Sequence, residues 1–420
     1  MMTIKLITMK VKTLFFILLT MSLFACNKAN DDSNIKDLDI DAKSEKLIEA
    51  SNKFGLDLFK EVYNDAKTPE NFMISPLSVS LAMAMVYNGA ENETKAEMEE
   101  ALRLEGFTRD EINQSYKLVV NALLTADDKV TMDVANSIWY RETYQVEESY
   151  LNVNQNYYDA EVNASDFTDP ETVTLINNWV TDKTNDKITS IIDEIPSDAI
   201  MYLINAIYFN GTWTKEFNPE GTQQLSFKNS NGNYILTDMM IRNDSLNYFS
   251  NDVFSAIELP YGQGNFNMMV MLPNNDKTVS DIIGQISTEN WDKWQEALKF
   301  TNSIGIWLPK FRIEFDKKLN DILKDMGMNL AFTSNADFSS IDPAKNLYIS
   351  YVKHKTFIET DEEGTEAAAV TIVGDVGGSA DPNAVEWIPF HCTKPFLFAI
   401  TEKDTGAILF MGKVGDPSKK

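Results

Sequence analysis

The sequence predicts a single large α+β domain behind a short export leader. Three observations predict it: helical spacing of apolar residues dominates up to about Leu124, strand-like runs dominate from Thr131 onward, and no linker divides the two regions. A helix-rich part followed by a strand-rich part points to segregated layers and not to alternating βαβ units. At 420 residues and 44% hydrophobic composition the chain can bury a large core. The only charge-rich, weakly hydrophobic stretch long enough to be a linker runs from Asn27 to about Lys43, beside the N-terminus. Residues 1–25 are therefore expected to be a leader, 26–43 a flexible tether and 44–420 one domain.

Taken in order, Leu47, Ile48, Phe54, Leu58, Phe59 and Val62 follow helical spacing within Ala42 to Asp65, and Asn71 to Ile74 is a short extended run. Ser75-Pro76 then opens a second helix, with serine as N-cap and proline in the first turn. That helix, Leu77 to Tyr87, is apolar nearly all round, which predicts a central position, and it stops at Asn88-Gly89. Amphipathic helices are expected over Thr94 to Leu104 and Asp110 to Leu124. Strands are expected at Val134 to Tyr140, Met201 to Phe209, Ala256 to Leu259, Phe266 to Leu272, Ser303 to Leu308 and Phe396 to Thr401. Met201 to Phe209 and Asn267 to Leu272 are almost continuously apolar, the pattern of strands covered on both faces. Further helices are read at Pro170 to Thr184 and Asp316 to Met326.

Lys5, Lys10 and Lys12 precede an apolar run, Leu14 to Phe24, too short to span a bilayer as a stable helix. The run ends in Leu23-Phe24-Ala25-Cys26, which resembles the lipobox of bacterial lipoproteins; the resemblance implies cleavage before Cys26 and attachment of lipid to its thiol. Cys392 is the other cysteine, so no disulfide is expected in the mature chain, and its apolar surroundings predict a buried small hydrophobe. The formal charge is −26, and loss of the leader would make it more negative. A field of that sign repels phosphate backbones and anionic headgroups, so nucleic acid is no expected partner and membrane contact is expected only through the lipid.

Catalytic chemistry has few footholds. His354 and His391 are the two histidines, neither at metal-ligand spacing, and no H-E-x-x-H, C-x-x-C or G-x-S-x-G occurs. Gly406 to Lys413 superficially resembles a phosphate-binding loop, but five bulky apolar residues separate its glycines and Val414 replaces the metal-binding hydroxyl, so it reads as a strand. No enzyme activity, cofactor or metal is expected, and a hydrolase is disfavoured.

The unusual segment follows Glu359. Thr365, Ala367, Ala369, Thr371 and Val373 share one face of an extended chain, and none is bulky or charged. Gly374 to Asn383 then carries three glycines and a proline without an apolar anchor, as an exposed loop does. An edge hairpin with a long tip is one reading; a strand that inserts into a sheet after a trigger is the other.

Glu362-Glu-Gly-Thr-Glu-Ala-Ala-Ala369 resembles the hinge of inhibitory serpins, and Asn71-Phe-Met-Ile-Ser-Pro-Leu-Ser78 resembles their second-helix motif. Leu203-Ile-Asn-Ala-Ile-Tyr-Phe-Asn-Gly-Thr-Trp213 resembles a strand of their central sheet. Lys394-Pro-Phe-Leu-Phe398 and Phe410-Met-Gly-Lys-Val414 are similar to their C-terminal strands, so the resemblance covers about residues 45–417. It implies the serpin fold, with three β-sheets, eight or nine helices and an exposed reactive-centre loop spanning Glu362 to Pro389. It further implies a suicide-substrate inhibitor of serine, or cysteine, proteases: the protease cleaves the loop, and the freed part inserts into the main sheet with the acyl-enzyme attached.

By the same resemblance, Glu362, Gly364, Thr365, Glu366, Ala367, Ala368 and Ala369 form the hinge, with Gly364 and Thr365 as pivot. Ser75, Ser78, Asn205 and His354 form a polar cluster beneath the opening strands, and Trp213 lies under the start of insertion. The family's usual spacing from Glu362 places the scissile bond at Gly378-Ser379, whereas counting back from Lys394-Pro395 places it near Ala384; candidate bonds run from Val376 to Val385. Small residues there suit an elastase-like target. Asp375 shares the inward face, and burying its charge would cost on the order of several kcal/mol away from the sheet's open end. The expected protein is a monomeric, envelope-anchored inhibitor; a non-inhibitory serpin acting as carrier or binding module is the alternative.

Overall fold

A computed structural model describes residues 37–197, 199–344, 347–365 and 387–419. Cys26, Glu366, Ala367, Ala368, Ala369, Asp375, Gly378 and Ser379 lie outside the described residues.

Helix α1 (Ala42–Asn64) starts where the Asp41 side chain accepts from Ser44 N, and it buries the stripe that includes Leu47, Phe54, Leu58 and Val62. Leu38 and Ile40 already pack on the core, so the folded body begins within the stretch expected to be a tether. Strand β1 (Phe72–Ile74) leads into α2 (Pro76–Tyr87), capped by Ser75 and buried at every position except Ala82. Helices α3 (Asn92–Ala101) and α4 (Arg109–Leu124) follow, the latter opened by a Thr108/Glu111 capping box. Next come β2 (Val130–Arg141), α5 (Glu148–Tyr158), β3 (Glu161–Ser165), α6 (Glu171–Lys183) and β4 (Met201–Thr212). Strands β5 (Gln223–Lys228), β6 (Tyr234–Ser250), β7 (Phe254–Tyr261) and β8 (Phe266–Pro273) precede the helices α7 (Val279–Ile283) and α8 (Thr288–Ala297). The chain continues through β9 (Lys299–Pro309), β10 (Phe311–Lys318), α9 (Asn320–Asp325), β11 (Lys353–Thr360) and β12 (Gly364–Thr365). It ends in β13 (Ile388–His391), β14 (Phe396–Glu402) and β15 (Ile408–Val414).

The strands make a six-stranded sheet, β10-β11-β12-β4-β2-β3, and a nine-stranded one, β1-β15-β14-β8-β7-β6-β9-β13, with β5 also on β6. The resemblance implied three sheets; two of them are continuous here because the 17-residue β6 pairs with β7 at one end and with β5 and β9 along the rest. The main core includes the facing residues of α1, α2 and both sheets, and a smaller one, with Trp139, Ile176, Val180 and Ile204, seals α6 onto the other face of β2 and β4.

Two expectations need correction. Asp316 to Met326 is not one helix: Asp316 to Lys318 finish β10, which alternates buried and exposed residues, and only Asn320–Asp325 is helical. Strand β4 is not covered equally on both faces, because Met201, Leu203, Asn205 and Ile207 are only half-buried while Tyr202, Ile204 and Ala206 are buried. Cys392 is buried, and the glycine-flanked C-terminal run is the strand β15, as read.

Asn71 ties the C-terminal segment down. Its Nδ2 donates to the carbonyls of Asp416 (2.7 Å) and Lys419 (3.0 Å), and its Oδ1 accepts from Gly415 N (2.8 Å) and Asp416 N (2.9 Å). Asn71→Leu leaves four backbone groups without that partner and should lower stability by about 2–4 kcal/mol. The midpoint of urea unfolding checks this, and an unchanged midpoint would show that water replaces the amide.

Candidate functional site

The hinge sequence makes a tight turn. Thr360 of β11 pairs with Thr365 of β12, and the residues between them close on the Asp361 carboxylate, which accepts from Glu363 N (3.0 Å) and Gly364 N (3.3 Å). Burial pushes the Asp361 carboxyl above its ordinary value. The turn's carbonyls are all taken: Trp213 Nε1 donates to that of Asp361 (3.0 Å), Phe217 N to that of Glu362 (2.8 Å) and Trp213 N to that of Glu363 (2.7 Å). Trp213 is itself fixed by stacking on Tyr261, with ring centroids 4.4 Å apart.

Strand β12 lies between β11 and β4. Gly364 pairs with Thr212 and Thr365 with Gly211, both antiparallel, so β4 and β11 run parallel to each other with these two residues between them. A Cβ on Gly364 would stand 2.2 Å from the Gly211 carbonyl oxygen and 2.7 Å from Thr212 Cα, so only glycine fits. Thr365 is buried, and its hydroxyl bonds the Tyr261 hydroxyl at 2.6 Å. Below it, Ile207, Phe209, Phe357 and Ile358 line a small cavity, and no direct β4–β11 pairing occurs among the described residues.

Glu362 is buried beside the turn. Burial raises its carboxyl, but the Lys310 ammonium (2.5 Å) and the Thr222 hydroxyl (2.6 Å) more than offset this and hold it below the ordinary carboxylate value. Lys310, Thr222, Tyr261, Phe217 and Asp361 were not singled out by sequence; the Asp-x-x-Gly turn pattern was the one local signal available.

Of the expected polar cluster, Ser75 and His354 meet directly. Ser75 caps α2 by accepting from Ser78 N (3.2 Å), and its own N–H donates to His354 Nε2 at 3.0 Å. Ser78, Asn205 and His354 line one cleft, but Asn205 bonds neither of the others. Its amide donates to Asn136 Oδ1 at 2.7 Å, and Asn136 donates to the Tyr158 carbonyl at 2.6 Å. A carbonyl only accepts, so this chain fixes the orientation of both amides and leaves Asn205 Oδ1 buried without a partner.

The other end of the segment is held by the second sheet: Ile388 to His391 pair in parallel with Ile304 to Trp307, and His391 stacks on Trp307. The loop expected over Glu362 to Pro389 is therefore shorter, because Gly364, Thr365, Ile388 and Pro389 are sheet residues. Among the described residues no cluster of three or more histidine, cysteine or carboxylate side chains could hold a metal ion.

Gly364→Ala should displace β12, lower stability by about 1–3 kcal/mol and speed exchange of the Trp213 indole proton; a wild-type exchange rate would show that the turn absorbs the methyl. Burial lowers the His354 pKa from 6.5 to about 4. The folded state holds this imidazole neutral, so its stabilisation is complete above the unfolded pKa of 6.5. It is lost as pH falls from 6.5 towards 4, by at most about 3 kcal/mol. Urea unfolding across this range, compared with His354→Gln, should show the loss in the wild type alone; equal losses would exclude His354 as the cause.

The family model for serpins (serine protease inhibitors) matches residues 49–417. A serpin-like protein of the archaeon Methanosarcina acetivorans is 36% identical over 374 residues, covering 88% of this chain and 85% of its own length. Human Serpin B3 is 31% identical over 392 residues, covering 88% and 99%. The native-state crystal structure of the thermophilic serpin tengpin superposes with a TM-score of 0.81 at 33% identity, covering 91% of this chain and 96% of that one. Human thyroxine-binding globulin in complex with thyroxine gives a TM-score of 0.78 at 25% identity, covering 90% and 100%.

Proposed function

The chain belongs to the serpin family, and from that premise we propose that it is a protease inhibitor that works by inserting its own reactive loop. The observation that carries this reading is the seating of Gly364 and Thr365 between β11 and β4, continuous in sequence with the small residues up to Val373. Two residues are already paired, Gly364 with β4 and Thr365 with both β4 and β11, and the next residues on the Thr365 face, Ala367, Ala369, Thr371 and Val373, are of a size that a closing sheet can cover.

In this reading a serine or cysteine protease attacks the loop within Val376 to Val385, with Gly378-Ser379 as the leading bond. The nucleophile is the protease's; attack on the carbonyl forms an ester or thioester to the loop and releases the new amine on the C-terminal side. The chain then extends β12 downward between β4 and β11, carrying the acyl-enzyme with it. Small residues around the bond favour an elastase-like target. The lipobox-like Leu23 to Cys26 supports anchorage to the bacterial envelope through lipid, and a single domain of this kind is expected to act as a monomer.

A carrier role is the competing reading, because thyroxine-binding globulin shares the fold with a small ligand bound. The hinge favours inhibition, since no proline, charged residue or bulky residue stands at Thr365, Ala367 or Ala369.

Incubation with elastase-, chymotrypsin-, subtilisin- and papain-like proteases should give a boiling-resistant complex with at least one of them, and sequencing the released peptide should place the cut within Val376 to Val385. Cleavage across the panel with no complex and no loss of protease activity would refute inhibition. Thr365→Arg should turn the inhibitor into a substrate, because it removes the bond to Tyr261 and puts a charge on the inward face. An unimpaired Thr365→Arg inhibitor would refute insertion.

A further inference from the structure

Asparagine followed by glycine is chemically labile, because glycine has no side chain to keep its backbone nitrogen away from the asparagine carboxamide. The chain has three such pairs, Asn88-Gly89, Asn210-Gly211 and Asn231-Gly232, and the fold treats them differently. Asn88 is buried at the C-cap of α2, where its Nδ2 donates to Asn113 Oδ1 (3.0 Å) and Asn154 Oδ1 (3.4 Å). Asn210 and Gly211 lie in β4, extended and paired with Thr131 and Val130 of β2, so the backbone there cannot fold back on its own side chain. Asn231 and Gly232 stand exposed in the turn between β5 and β6. Gly232 has a φ of 81°, and nothing packs within 4 Å of the place a Cβ would take.

This turn helps to clasp the C-terminal tail. Asn229 Nδ2 donates to Asp416 Oδ2 (2.9 Å), and Ser230 N donates to the Gly415 carbonyl (2.9 Å). Asn229 Oδ1 shapes the turn by accepting from Asn231 N (3.1 Å) and Asn233 N (2.9 Å). The Asn231 carboxamide donates to the carboxylate of Glu70, ahead of β1, and Glu70 also holds Lys419 Nζ at 3.1 Å. Lys419 Nζ stands 3.9 Å from the Asp416 carboxylate.

We propose that Asn231 is a site of spontaneous deamidation, and that the charge it gains loosens the clasp on the tail. The Gly232 nitrogen, having lost its proton to hydroxide, attacks Asn231 Cγ and closes a succinimide ring. The Cγ–Nδ2 bond breaks, and Nδ2 leaves as ammonia after taking a proton from water. A second water opens the ring, at Cγ to give aspartate or at the main-chain carbonyl to give isoaspartate, whose backbone is longer by one methylene. The Gly232 N–H is bonded to the Asn229 carbonyl (2.9 Å), so attack follows a local opening, which an exposed turn makes more readily than a buried helix end or a sheet. Either product replaces the donor to Glu70 by a carboxylate, leaving Lys419 among three carboxylates with Asp416 as the third. Like charges so close repel, and the turn loses its hold on the tail. None of these steps depends on loop insertion.

Folded protein stored warm at mildly alkaline pH and mapped by peptide mass spectrometry should show the amide-to-acid mass gain at Asn231, split between aspartyl and isoaspartyl peptides. Conversion should run about tenfold or more faster there than at Asn88 or Asn210. Mildly acidic buffer should slow it, because the attacking nitrogen must lose its proton. No conversion at Asn231, or equal conversion at all three asparagines, would overturn the assignment. The Gly415 and Asp416 amides, which donate to Asn71 Oδ1, report on the tail. Their hydrogen exchange should be about fivefold faster in stored protein and in fresh Asn231→Asp than in fresh wild type. Storage should leave exchange unchanged in Asn231→Gln, which keeps an amide but closes the larger ring poorly. Wild-type exchange in both the stored protein and Asn231→Asp would overturn the loosening of the tail.

Discussion

Strands β4 and β11 run side by side in the same direction, and among the described residues the backbone that pairs with both is that of Gly364 and Thr365. Two facing strand edges are a template for another strand, because their N–H and carbonyl groups need partners. The surrounding structure is arranged to seat these two residues and hold them in register. Glycine at 364 admits the Gly211 carbonyl, Trp213 and Phe217 bind the three carbonyls of the turn, and Tyr261 meets the Thr365 hydroxyl.

Buried polar groups are satisfied unevenly through the body. Asn71 makes four hydrogen bonds to the C-terminal segment, and the Asn88–Asn113 amide pair is bonded in both directions. Around β4 and β11, by contrast, Asn205 Oδ1 and Thr360 Oγ1 are buried without partners, and His354 is held neutral by burial. Each such group costs about 1–3 kcal/mol relative to a paired one. Two such groups lie where the sheet would have to rearrange, and others, such as Ser44 Oγ on α1 and Tyr150 OH on α5, lie elsewhere in the body. The half-buried face of β4 belongs to the same pattern, since its residues line the cleft and the small cavity instead of packing fully.

Much of this could be read from the chain. The order of helices and strands, the Ser75-Pro76 helix start, the central position of α2 and the inward direction of Thr365 follow from periodicity, capping chemistry and strand alternation, which act over a few residues. The motifs behind the expected hinge and polar cluster are local as well, and of the cluster Ser75 meets both Ser78 N and His354 directly. Where the sheets take up the segment after Glu359 was not legible, since pairing of Pro389 with Gly305 and of Thr365 with Gly211 is a property of distant partners. The helix read at Asp316 failed for a related reason: β11 pairs with Phe311 to Lys318 and draws those residues into a strand whatever their local preference.

The segment after Glu359 shows the division most clearly. Its composition alone determined that Thr365 to Val373 is compatible with burial in a sheet, because side-chain size and alternation are written residue by residue. That Gly364 and Thr365 already stand between β4 and β11, that Glu362 is held by Lys310 and Thr222, and that His354 meets Ser75 but not Asn205 were decided by tertiary structure. These contacts join residues tens to hundreds of positions apart, and no local preference encodes a partner at that distance.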